Sequence, residues 1–145
     1  MNNPVFLTCV AVVLYALQNV IMEMKLAKYS TVAIILIVYS VMLPLSLVLI
    51  SQMKFTGKVV AFPTGKILVF ALLSGLIFFV ADYCYISAYT IGGDLITITT
   101  IIALFPVVAS IIKFFITGTV PNSYQVAGWL LAIFAVYLVG KGAAA

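Results

Sequence analysis

The sequence predicts an all-α, polytopic membrane protein with five transmembrane helices. Three observations predict it. Hydrophobic residues make up 66% of the 145-residue chain and charged residues only 7%, with mean hydropathy +1.36. Soluble chains carry about 25% charged residues, so this surface cannot be built to face water. Charges and Gly/Pro breakers recur at intervals near the roughly 20 residues that cross a hydrocarbon core of about 30 Å. The runs between them are continuously apolar, whereas a transmembrane β-barrel shows alternating segments of roughly ten residues. Backbone polar groups in lipid must bond internally, and helices do this within one segment.

The first span runs over about 4–24, with Pro4 in the first turn, where its missing N–H is harmless, and Lys25 and Lys28 beyond its end. The second, about 31–51, is capped by Ser30 or Thr31, and Pro44 is a kink position. Residues 52–66 form the longest polar stretch, a loop with room for a short interfacial turn near 59–62. The third span covers about 67–89, and Gly92-Gly93 makes a tight turn. Asp94 is the expected N-cap of the fourth span, about 94–117, which carries Pro106 mid-span. The fifth covers about 123–140, and Asn122 with Gln125 resembles a capping box. Residues 1–141 thus read as one five-helix domain, and 142–145 as a disordered tail.

The charges are Glu23, Lys25, Lys28, Lys54, Lys58, Lys66, Asp82, Asp94, Lys113 and Lys141, net +4. The lysines are scattered, which fits span boundaries and not a nucleic-acid binder or polybasic anchor. Cys9 and Cys84 sit in apolar runs without metal-ligand neighbours and read as small buried hydrophobes. No cofactor or metal is expected. With no nucleophile–base pair or phosphate loop, an enzyme is not expected either. The first span lacks the basic flank and cleavage signal of a signal peptide.

Five spans put the termini on opposite sides. One side then holds Lys54, Lys58, Lys66 and Lys113, and the other Lys25, Lys28 and Lys141. The lysine bias that sets orientation is nearly balanced, which allows insertion both ways.

The segment Leu14-Tyr15-Ala16-Leu17-Gln18-Asn19-Val20, followed by Lys25 and Ser30, is similar to the first helix of EamA-type domains of the drug/metabolite transporter superfamily. Tyr85-Ile86-Ser87-Ala88-Tyr89 resembles that family's F-Y-A-L. Phe105-Pro106-Val107-Val108-Ala109 resembles its E-P-V-F-A, and Gly128 and Gly140 resemble glycines of its last helix. The chain departs at Tyr15 and Ala16, where the family has W-G, and at Phe105 and Thr119, where it has Glu. Leu17 or Gln18 stands where four-helix relatives carry a mid-helix Glu. The resemblance implies a transporter. It also implies that this five-helix unit works against a second, inverted one, with the substrate between them near the midplane.

Polar groups inside lipid are costly and mark function by default. Asp82 lies about 6 Å from the centre of the third span, with Tyr85 and Tyr89 on its face at i+3 and i+7. It is either a proton or cation site lined by tyrosines, or a carboxylate held by a lysine or by tyrosine hydroxyls. Lys113 lies about 11 Å from the centre of the fourth span, toward the opposite side. Inverting a second copy would bring its Lys113 within about 5 Å in depth of Asp82; the alternative is snorkelling to the interface. Glu23 is either part of the coupling set or a boundary carboxylate beside Lys25. Gln18 and Asn19 either contact substrate or bond between helices. The resemblance makes them, with Tyr15, pocket-facing. Thr97, Thr99, Thr100 and Ser110 are expected to back-bond to their own helix. Gly128, Ala132 and Ala135 offer a small-residue face for a dimer or for packing within the subunit. Tyr124 and Trp129 read as interfacial anchors.

The sequence therefore predicts a secondary transporter of a small metabolite or drug-like molecule, in the inner cell membrane. It is expected to act as an antiparallel, dual-topology homodimer whose partners are substrate and lipid, with no nucleic acid. The alternative is a non-transporting membrane subunit or half of a heterodimer.

Overall fold

The computed structural model describes residues 4–143, and no strand occurs among them. Helix α1 spans Pro4–Ile21 and continues as a π-helical turn, Met22–Leu26. The others are α2 (Thr31–Phe55), α3 (Lys66–Thr90), α4 (Leu95–Ile102), α5 (Phe105–Thr117) and α6 (Ser123–Ala143). With α1 and its π-turn as one span and α4–α5 as another, five segments are long and apolar enough to cross a membrane. Their side chains confirm the solvent: Leu36 is 70% exposed and Ile77 69%. In water each such side chain would forgo roughly 1.5–3 kcal/mol of burial; in lipid it forgoes nothing.

The expected single helix over 94–117 is broken. Pro106 has no N–H to bond to Ile102, and its ring collides with that carbonyl. The chain responds by tightening into i→i−3 bonds, Leu104 N–H to Ile101 O at 3.0 Å and Val107 N–H to Leu104 O at 2.9 Å. The helix restarts as α5 with Pro106 in its first turn. Pro44 has no such effect, and α2 runs through it. There Ser40 and Ser46 return their hydroxyls to the Ile37 and Met42 carbonyls at 2.7 and 2.9 Å.

The caps follow local chemistry. Asp94 accepts from the Thr97 N–H at 3.0 Å. Asn122 and Gln125 form the reciprocal capping box, at 2.8 and 2.9 Å. Gly118, at φ +68°, ends α5 in the left-handed conformation that favours glycine. Ser30 occupies the N-cap of α2 but offers only its carbonyl, to the Ile34 N–H at 3.1 Å. Residues 58–64 contain no helical turn. Helix α2 outruns its expected end by four residues, and α6 continues through Gly142 and Ala143, which the sequence assigns to the tail; residues 144 and 145 lie outside the described residues.

The chain divides into two compact units. Residues 24–92 contain α2 and α3, packed as an antiparallel hairpin. Thr31 bonds to Thr90, and Tyr39 to Asp82. This register sets Ile35 level with Ile86, and both are buried. The other unit, whose described residues are 4–23 and 93–143, packs α4 on α6. In α6, Trp129, Ala132, Val136 and Val139 recur at helical spacing and are partly buried.

Candidate functional site

In the 24–92 unit, the Asp82 carboxylate accepts a hydrogen bond from the Tyr39 hydroxyl at 2.9 Å. Tyr39 lies four residues from the centre of α2, and Asp82 four from the centre of α3. Both therefore sit roughly 6 Å from the middle of their spans, at one level. The Tyr39 ring leans on Phe79, with centroids 6.3 Å apart and planes at 52°. A charge-assisted bond is about twice as strong as a neutral one, and in lipid little else can solvate a carboxylate. A phenol does this without supplying a counter-charge.

Tyr85 and Tyr89 are brought to each other. Their hydroxyls are 3.3 Å apart and their rings meet edge to face, with centroids at 5.4 Å. Tyr89 is the most buried side chain of the unit, 1% exposed. Closer to the membrane boundary, Thr31 gathers two hydroxyls: Thr90 at 2.9 Å and Ser87 at 3.3 Å. Tyr39 is the partner of Asp82 that sequence reasoning missed. Its signal was the α2 stripe Thr31–Ile35–Tyr39 at i, i+4 and i+8, which needs the pairing of α2 with α3 to acquire meaning.

In the other unit, Glu23 accepts a hydrogen bond from the Leu95 N–H at 2.8 Å. Its partner is therefore a helix N-terminus, where a carboxylate is favoured, and no ion pair with Lys25 forms. Two carboxylates serve α4: Glu23 at Leu95 and Asp94 at Thr97. The Thr97 hydroxyl and then its N–H hold the Asp94 carboxyl below the ordinary carboxylate range. Only the N–H closes a hydrogen bond of good geometry; the Thr97 Oγ1 is buried without a hydrogen-bond partner among the described residues, contrary to the expected back-bond. Thr99 and Thr100 do back-bond, to Leu95 O and Ile96 O at 2.7 and 2.6 Å.

Tyr15 and Gln18 are exposed on α1, and Asn19 is half-buried. Lys113 is exposed on α5 and forms no ion pair among the described residues. Ala132 belongs to the partly buried stripe of α6, whereas Gly128 and Ala135 are exposed and a Cβ at Gly128 would meet open space. Cys9 and Cys84 are exposed, not buried as expected. No group of three or more metal-ligating side chains occurs among the described residues.

A sequence model of the EamA-like transporter family matches residues 2–141. The chain belongs to that family. As an EamA-like transporter it is a multi-pass membrane protein that moves a substrate across its membrane. No curated protein and no solved structure matches it.

Proposed function

We propose that this EamA-like protein is a secondary transporter of a small metabolite or drug-like molecule in the inner cell membrane, working as an antiparallel homodimer with Asp82 as its coupling carboxylate. The Tyr39–Asp82 hydrogen bond carries this reading. A carboxylate tied to a lysine is already neutralised, whereas one held by a phenol can still take a proton or the positive group of a substrate. Alternate loading by the two is the minimal chemistry of exchange. Tyr85 supplies aromatic surface on the same helix, backed by the buried Tyr89, and Tyr15, Gln18 and Asn19 remain candidate polar contacts within the other unit.

The near-even distribution of lysines supports insertion in both orientations. In the inverted pair, Lys113 of the partner subunit comes within about 5 Å of Asp82 in depth, where it can compete for the carboxylate in the empty state. The exposed Gly128 and Ala135, with Ala132 beside them, permit close approach of a second helix.

Three measurements test the proposal. Proteoliposomes challenged with a panel of metabolites and amines should give transport currents that Asp82→Asn abolishes; currents only when a second, different chain is added would replace the homodimer with a heterodimer. Single cysteines in the 56–65 loop should be labelled from both faces of the membrane, and labelling from one face alone would rule out dual topology. Lys113→Met should weaken dimerisation or activity, and the pairing fails if it changes neither.

A further inference from the structure

A second feature of the 24–92 unit has chemistry of its own. A groove of about 200 Å³ is lined by Leu26, Tyr29, Ala33, Ile34, Ile37 and Val38, and its walls are apolar throughout. It begins at Leu26 and Tyr29, at the membrane boundary where α2 starts. From there it descends along α2 to Val38, a rise of roughly 10 Å from Thr31. At its mouth the Lys28 ammonium stands 5.2 Å from the centroid of the Tyr29 ring, itself part of the wall. Lys28 has no ion-pair partner among the described residues, and the nearest acidic residue in sequence, Glu23, is engaged with the Leu95 N–H.

We propose that this groove is a binding site for an anionic phospholipid, with its phosphate at Lys28 and an acyl chain along the Ala33–Ile37 wall. A cation without a carboxylate partner among the described residues, at headgroup level above a dry groove leading inward, matches that amphiphile in both charge and position. Basic pockets at membrane boundaries recognise lipid headgroups in this way. A zwitterionic lipid fits the groove but brings its own cation to Lys28. Inorganic phosphate fits Lys28 but leaves the groove empty.

The chain carries its own control. Lys141 stands 5.5 Å from the Tyr137 ring, a similar lysine–tyrosine pair, and neither residue lines this groove. The full chain, delipidated in detergent, is titrated with phosphatidylglycerol, with phosphatidylcholine of the same chains, and with inorganic phosphate, and bound lipid is counted by native mass spectrometry. One phosphatidylglycerol should be retained, with phosphatidylcholine roughly tenfold weaker for want of a charge-assisted bond. Lys28→Gln should remove that preference, and Lys141→Gln should leave it intact. Ala33→Phe, or Ile37→Trp should that variant not fold, should weaken both lipids by filling the groove. Equal binding of the two lipids, equal losses from the two lysine variants, or displacement by inorganic phosphate alone would overturn the site. These readouts do not involve transport, so their failure is separate from failure of the proposed function.

Discussion

The Glu23 carboxylate caps α4 through the Leu95 N–H, tying the end of the first span to a residue 72 positions later. The connection falls in the π-helical turn Met22–Leu26. Such turns reorient side chains relative to a continuous α-helix and often occur at functional positions. Removing the carboxylate should cost about 1–2 kcal/mol, the usual loss for a helix cap. Glu23→Ala should therefore lower the thermal midpoint in detergent more than Glu23→Gln, whose amide oxygen can still accept. Equal effects of the two would show that the hydrogen bond contributes little.

Tyr39 and Asp82 should be energetically coupled. Tyr39→Phe removes the donor and leaves the carboxylate in lipid, and bonds to charged groups are worth about 1.5–3 kcal/mol. A double-mutant cycle with Asp82→Asn should give a coupling energy of about 1 kcal/mol or more. Additive effects would mean that the carboxylate is satisfied by other groups.

Pro106 should trade stability for activity. Pro106→Ala restores an N–H facing Ile102, and a proline within a helix costs about 3 kcal/mol. The variant should show stronger hydrogen-exchange protection across 103–106 and slower transport. Unchanged exchange there would show that the break is held by tertiary packing instead.

The Asp94 cap should be pH-dependent with a definite sign. Its pKa in the folded chain is lowered by Thr97, so the ionised carboxylate favours the folded state. That contribution is full above the unfolded value of about 3.9 and disappears as pH falls through the lower folded value. Asp94→Ala should therefore be less stable than the parent chain near neutral pH, with the gap closing under acid. A gap constant down to pH 2 would remove the charge from the explanation.

Much of this architecture was legible because lipid imposes one requirement, continuous apolar length, which the sequence displays openly. Turns were equally readable where a residue type carries its own geometry, as at Asp94, Asn122 and Gly92. Helix ends were less so. Lys54 reads as a boundary, yet α2 reaches Phe55, because a lysine in the last turn suits a helix C-terminus and can extend to the headgroups. The Pro106 break was hidden because Pro44, equally interior, leaves its helix whole; the difference lies in surroundings that a linear sequence does not display. At the site, Asp82 announces itself as a charge in an apolar run. Tyr39 does not, since a tyrosine among aliphatics looks ordinary until the register of α2 against α3 is known.

That register bears on how the chain enters its membrane. At least three side-chain hydrogen bonds join α2 to α3, and their partners lie within one helical hairpin. As the nascent hairpin leaves the insertion machinery, Asp82 can meet Tyr39 without waiting for any later segment. The most lipid-averse group of the chain thus gains its escort during synthesis, and a substitution at Tyr39 should reveal itself first as a defect of biogenesis.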